Sequence, residues 1–285
     1  MIELQESNVR NAFTVDVEDY FHVEAFANVI RPEDWNNYPQ RVEGNTIRIL
    51  ENLGNYGVKG TFFVLGWVAE KFPGLVKRIA GDGHEVACHG YSHQPLSRMT
   101  PDEFRQDIRK SKEILEGISG CSVKGYRAPT FSITPGREWA FTILAEEGFL
   151  YDSSVFPIRH DNYGWPDFQR HAVSREEGVV EIPISTVRIL GVNLPFSGGG
   201  YLRLFPLVLT RAGFRRVNGL ENKPVVLYVH PWEFDPDQPR IKSSLKSRFR
   251  HYCNLDHMEE KVRYLLECFR FCPMREILER EGFPD

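Results

Sequence analysis

Four groups of residues in this chain have the types and spacings that hydrolytic chemistry uses. The first is Asp16-Val17-Glu18-Asp19, at the end of an apolar run. Three carboxylates in four residues repel one another unless a cation or a proton sits among them. Alternation along an extended strand puts Asp16 and Glu18 on one face and leaves Asp19 to begin the turn. A solvated acidic turn would carry the same residues. The second group is His89-Gly90-Tyr91-Ser92-His93. Two imidazoles four apart can occupy one edge of a metal ion, from a helix or from a tight loop. Two histidines and one carboxylate, with positions left for water and substrate, form the ligand set of a hydrolytic metal site. A chance pair of histidines is the competing explanation.

The third group is Gly125-Tyr126-Arg127-Ala128-Pro129-Thr130. An arginine at a strand end can fix a neighbouring carboxylate by a two-pronged hydrogen bond. Pro129 stiffens the turn that follows, and such a turn can hold a backbone N–H toward an oxyanion. A surface arginine before a loop fits these residues equally well. The fourth group pairs Asp152 with His230. A histidine at a strand end is placed to protonate a leaving group, and a carboxylate partner would keep it cationic until needed. Alternatively, His230 caps its strand by bonding to backbone.

The elements that must position these groups alternate between short apolar runs and amphipathic stretches. Strands are expected over 13–17, 61–65, 85–88, 123–127, 150–153 and 225–229, and helices over 41–56, 67–80, 138–147 and 258–268. Thr100-Pro101-Asp102-Glu103 opens a further helix, running to about Ile118, with Thr as N-cap, Pro at the first position and Glu three residues after the cap. Near-continuously apolar strands between helices indicate a parallel sheet covered on both faces. The candidate residues follow strands, so they are expected to converge on the rim at the strands' carboxyl ends. Two stretches break the rhythm: 159–200, rich in Gly, Pro and aromatics, expected to pass over the rim, and 235–255, polar and basic, expected to be a loop.

In order and spacing these groups resemble the motifs of the polysaccharide deacetylase family (carbohydrate esterase family 4), over about Phe13 to Phe234. HGYSH is similar to that family's second motif, which implies His89 and His93 as metal ligands. GYRAPT resembles the third, making Arg127 the residue that orients the catalytic base. YDSSVFP resembles the fourth, with Asp152 near the acid, and LYVHP the fifth, with His230 as general acid. The first motif departs from the family's adjacent Asp pair. Asp16 then falls to the base, and the carboxylate ligand is Glu18 or Asp19, with Glu18 favoured by its shared face. Thr130 stands where a Tyr is usual, a change that spares the backbone N–H assigned to the oxyanion. The segment from Asp235 onward is similar to a C-terminal extension in a subgroup associated with exopolysaccharide synthesis.

The resemblance implies an α/β fold, a distorted (β/α) barrel forming one domain over 1–285, with the rim excursion at 159–200 and the extension at 235–285. It implies a hydrolase that removes N-acetyl groups from an amino sugar of an exopolysaccharide or cell-surface glycan, using a divalent metal: zinc, or cobalt or nickel. Two other readings are a metal-independent amidohydrolase acting on a small cyclic or ureido substrate, and an inactive barrel that binds glycans.

Composition sets the outer bounds. With 285 residues, 41% hydrophobic and 26% charged, the chain is an ordinary globular protein with enough length for a barrel-sized core. A net charge of −4 gives no global basic field for nucleic acid or an anionic membrane. No apolar run approaches a membrane span, and the start, MIELQESNVRNAF, lacks the pattern of a secretory signal. Five cysteines without a CxxC pair suit reduced thiols, so a cytoplasmic address and an intracellular sugar precursor are expected. Aromatic residues make up 13% of the chain; Tyr163, Trp165, Phe168 and Tyr201 could stack on sugar rings or simply fill the core.

Overall fold

The computed structural model describes residues 8–161 and 163–283. Residues 1–7, on which the reading of the start partly rests, lie outside them. Eleven strands occur among the described residues: β1 (Arg10–Val17), β2 (Thr61–Val64), β3 (Glu85–Cys88), β4 (Gly125–Tyr126), β5 (Tyr151–Asp152), β6 (Val173–Ser174), β7 (Val180–Glu181), β8 (Thr186–Ile189), β9 (Val192–Pro195), β10 (Val226–Val229) and β11 (Arg270–Cys272). Nine form one sheet in the order β10-β1-β2-β3-β4-β5-β7-β6, with β11 also paired to β1. All pairings in it are parallel except β6 with β7.

This is a mixed α/β fold whose sheet curls into an incomplete barrel. No ladder joins β6 to β10 among the described residues. Chain segments span the gap instead: the Val226 N–H donates to Ser185 Oγ at 2.8 Å and the Tyr228 N–H to the Ser197 carbonyl at 3.1 Å. Gly198 lies so close to Tyr228 that a Cβ there would meet the phenol ring at 2.0 Å, which explains a glycine at this crossing.

Strand periodicity sorts the side chains into two layers. Phe13, Val15, Val17, Phe62, Val64, Val86, Cys88, Leu227 and Val229 point outward into the larger core cluster beneath the helices. Ala12, Phe63, Ala87, Tyr151, Val226 and Tyr228 point inward and pack together. Thr14 and Asp16 share the parity of Ala12, so β1 necessarily sends these polar groups into the barrel interior.

The helices are α1 (Val42–Asn55), α2 (Gly66–Lys71), α3 (Pro73–Gly81), α4 (Pro101–Ser119), α5 (Trp139–Glu146), α6 (Gly199–Leu204), α7 (Leu207–Gly219), α8 (Leu245–Tyr252), α9 (Met258–Cys268) and α10 (Met274–Glu281). α4 begins at the expected capping box, with Thr100 and Glu103 each serving the other's backbone N–H.

Three expectations need correction. The helix expected over 67–80 is two, because Pro73 lacks the N–H that would continue α2 and instead starts α3. The excursion at 159–200 is not confined to the rim: Val180 and Glu181 form β7 beside β5, and Ile182 and Ile184 are buried. The loop expected over 235–255 contains α8. The expected extension from 235 is built into the sheet, since β11 pairs with β1 and α10 follows it. The Met274 N–H donates to Thr61 Oγ1 and the Arg275 N–H to Glu85 Oε2, tying α10 to the start of β2 and β3.

Candidate active site

Asp16 sits on the inward face of β1 and is almost wholly buried. Arg127, fully buried after β4, donates from Nη1 to Asp16 Oδ1 at 2.6 Å and to Thr14 Oγ1 at 2.8 Å. Its other nitrogens reach the Ser153 carbonyl and Ser153 Oγ, and its Cζ lies 4.1 Å from the Phe63 ring centroid. A guanidinium fixed on all sides holds one carboxylate oxygen and leaves Asp16 Oδ2 facing the cleft, 3.9 Å from His230 Nε2.

Glu18 follows two residues on and meets the histidines of HGYSH. The Nδ1 of His89 is tied to the Arg127 carbonyl at 2.8 Å, which leaves Nε2 as its free coordinating atom. His93 Nε2 contacts Glu18 Oε2 directly. Gly90 (φ 73°) and His93 (φ 50°) turn the loop through left-handed conformations. Asp107 of α4 clamps it by accepting the Tyr91 N–H at 2.7 Å and the Ser92 N–H at 3.0 Å. A Cβ at position 90 would meet that carboxylate at 2.8 Å.

One ligand atom from each of Glu18, His89 and His93 lies within 4.8 Å of the others, and all three residues are buried. Burial alone would raise the Glu18 carboxyl, yet His93, by charge and hydrogen bond, and the charges of His230 and His89 hold it below its ordinary range. Burial pushes His89 down to about 4, so it is neutral and able to ligate near neutral pH. A buried carboxylate and two imidazoles whose ligand atoms converge fit a divalent metal ion.

Opposite this triad stands His230, after β10. Its Nε2 lies 3.7 Å from Glu18 Oε1, and its Nδ1 faces Glu233 Oε2 at 3.2 Å. Burial pulls His230 down, but the hydrogen bond and charge of Glu233, with Glu18 and Asp16, raise it to about 9. Glu233 is itself buried and paired with Arg203 Nε of α6 at 2.9 Å. Gly199 admits this carboxylate, because a Cβ there would overlap Glu233 Oε2 at 1.8 Å. Trp232 stacks on the His230 ring, with centroids 5.0 Å apart, and donates from Nε1 to Glu18 Oε1 at 3.2 Å.

The structure therefore brings Asp16, Glu18, His89, His93, Arg127 and His230 together, with Thr130 lining the same cleft of about 530 Å³. Thr130 sits in a left-handed turn (φ 58°) fixed by the Phe131 N–H to Ala128 carbonyl bond. Two expected residues lie elsewhere. Asp19 turns away from the triad and accepts the backbone N–H groups of Tyr20, Arg41 and Val42, at 2.6 to 2.9 Å, at the start of α1. Burial, opposed by those bonds, raises it to about 6. Asp152 does not meet His230. It accepts from Ser154 Oγ and lies against Glu181 of β7 in a buried carboxyl pair: burial raises both, and the charge of Asp152 raises Glu181 further.

Sequence reading missed Glu233, the actual partner of His230. Its signal was present, since His230 and Glu233 have capping-box spacing. Arg203 and Asp107 gave none, because only the tertiary fold brings them to the site. Tyr163 and Tyr201 line the cleft, whereas Trp165 and Phe168 pack on the core.

Two family models match the chain: polysaccharide deacetylase over residues 35–138, and a domain of unknown function (DUF3473) over residues 153–279. A peptidoglycan-N-acetylglucosamine deacetylase of Bacillus cereus is 45% identical over 106 residues, 37% of this chain and 37% of that protein. A peptidoglycan deacetylase-like protein, FGM2, of Gibberella zeae is 32% identical over 212 residues, 68% of this chain. The match spans 59% of that relative's length. In fold, a protein of Mycobacterium smegmatis assigned to the polysaccharide deacetylases superposes with a TM-score of 0.60 at 21% identity, covering 96% of this chain and 91% of the other. The chain contains a domain of the polysaccharide deacetylase family (carbohydrate esterase family 4).

Proposed function

We propose that this protein is a metal-dependent N-deacetylase acting on an N-acetylated amino sugar during synthesis of an exopolysaccharide or cell-surface glycan. The observation that carries the reading is the opposition, across one cleft, of an arginine-anchored Asp16 and a Glu233-backed His230, with the Glu18, His89 and His93 triad between them.

A divalent ion, zinc by preference and cobalt or nickel as substitutes, would be held by Glu18, His89 and His93 and would supply Lewis acidity for the acetyl carbonyl and the attacking water. Asp16 is the general base, and Arg127 fixes which of its oxygens is left to accept the water's proton. The Thr130 backbone N–H is assigned to the oxyanion of the tetrahedral intermediate, a donor of a kind worth about 3 kcal/mol in transition-state stabilisation. His230, kept protonated at neutral pH by Glu233, gives its proton to the departing amine. Acetate and a free amino sugar result. Tyr201, at the wall of the cleft, offers aromatic surface for sugar rings, whereas the Tyr163 ring is stacked on His160, with centroids 3.8 Å apart. The name of the Bacillus cereus relative, a peptidoglycan-N-acetylglucosamine deacetylase, points to the same bond type, and that of the Gibberella zeae relative is peptidoglycan deacetylase-like.

The test is acetate release from N-acetylglucosamine oligomers by protein whose metal content is measured alongside. Activity abolished by a chelator and restored by zinc or cobalt is expected, with Asp16→Asn slower by about 10²–10⁴-fold. Full activity in metal-free protein would sink the proposal and favour the metal-independent amidohydrolase.

A further inference from the structure

The stretch from Gln238 to Leu255 contains Arg240, Lys242, Lys246, Arg248 and Arg250 and no acid, in a chain whose net charge is −4. The fold concentrates it on α8 and the approach to α8, at the mouth of the cleft. Lys246 and Arg250 line the cleft, where Asp161 meets Lys246 at 2.9 Å and Arg250 at 3.9 Å. Lys242 and Arg248 are exposed. One helical turn apart, Leu245 and Phe249 present a shared strip that is 82% and 63% exposed. Outside the cleft, these two border a shallow depression with Arg240, Arg248 and Tyr252.

This strip is held out rigidly. The Arg203 guanidinium binds the carbonyls of Arg250, His251 and Cys253 at 2.8 to 3.0 Å, fixing the end of α8 to the same arginine that backs Glu233. Two large apolar side chains, kept in water and ringed by cations, need an environment that is apolar at its centre and anionic at its edge. A protein interface of ordinary stability buries about 800 Å² per partner, far more than two side chains offer. A bilayer containing anionic lipid meets both requirements, because Phe and Leu enter the acyl boundary while Lys and Arg remain among the headgroups.

We infer that α8 docks the protein peripherally on an anionic lipid surface, with Leu245 and Phe249 inserted and Lys242 and Arg248 at headgroup level. Docking of this kind sets the mouth of the cleft beside the bilayer, where a membrane-attached glycan would present its sugars. The inference does not depend on the proposed reaction, and binding is measured without it.

The experiment is co-sedimentation of the full chain with vesicles of phosphatidylcholine alone, or of phosphatidylcholine with about one-third phosphatidylglycerol. Binding to the anionic vesicles only, weakened at least about tenfold by raising salt to about 0.5 M, is expected. A Leu245→Ser/Phe249→Ser variant and a Lys242→Glu/Arg248→Glu variant should each lose about tenfold or more in partition while keeping wild-type metal content and melting temperature. Equal binding to both vesicle types, or no loss in the Ser variant, overturns the inference. Self-association that the Ser substitutions abolish, without vesicle binding, also overturns it and assigns the strip to a second copy of the chain.

Discussion

At the scale of the residue, the site separates charge by contact rather than by distance. Asp16 and His230 stand 3.9 Å apart, each fixed by its own partner, Arg127 for Asp16 and Glu233 for His230. Replacing Glu233 with Gln removes the charge that holds His230 up, so the alkaline limb of kcat should move to lower pH, with a smaller change in KM. A fall in kcat with an unmoved limb would show that Glu233 only fills space. The sign is set by the direction of the shift. His230 is raised to about 9, so it is protonated through neutral pH and loses that proton only as pH rises through that value. A second residue-level prediction concerns the metal. Glu18→Gln should lose bound metal and Asp19→Asn should keep it, as measured by elemental analysis, because the Asp19 carboxylate is engaged at α1.

Elements explain why such residues are placed where they are. Asp19 closes the turn after β1 by accepting the first N–H groups of α1, the work usually done by a side chain at the N-cap position itself. Asp19→Ala should therefore lower unfolding free energy by about 1–2 kcal/mol in denaturant titration. The Asp152–Glu181 pair performs a comparable task between β5 and β7. Ser154, which donates to Asp152, also accepts the Ala128 N–H at the start of the turn that carries Thr130. Glu181 is raised well above the ordinary carboxyl range by burial and by Asp152, so the folded protein binds a proton there more tightly than the unfolded chain. That stabilisation is complete below the unfolded pKa and declines as pH rises toward the folded value. Glu181→Gln should flatten this decline. The difference in melting temperature between variant and wild type should then shift in favour of the variant from pH 5 to pH 8, and an unchanged difference would refute the assignment.

For the whole molecule, the C-terminal third is part of the sheet. β11 lies along β1, and the hydroxyl of Thr61 and the carboxylate of Glu85 hold the start of α10. Truncation after Cys268 should abolish cooperative unfolding rather than trim an appendage, as thermal denaturation would show. No helix among the described residues is long and apolar enough to cross a membrane, and the five cysteines are free thiols. The proposed metal binding would add a global term, since a ligand at a hundred times its Kd stabilises the folded state by about 2.7 kcal/mol. Chelation should accordingly lower the melting temperature of wild type and leave the Glu18→Gln variant unmoved.

Much of this architecture is local and was legible in the sequence. Strand parity alone sends Asp16 inward with Thr14 and Ala12. The spacing in HGYSH lets one short loop supply two imidazoles, and Thr100 with Glu103 marks the start of α4. These features rest on period-two alternation, loop reach and capping, which act within a few residues. The choice between Glu18 and Asp19 was not local, because it depended on whether the start of α1, more than twenty residues away, would claim one carboxylate. The partner of His230, by contrast, lies three residues on, at capping-box spacing. What the tertiary fold decided is the support behind Glu233, because the packing of α6 brings Arg203 and Gly199 up to it. Periodicity determines which way a side chain points, whereas the closure of the barrel determines what it meets.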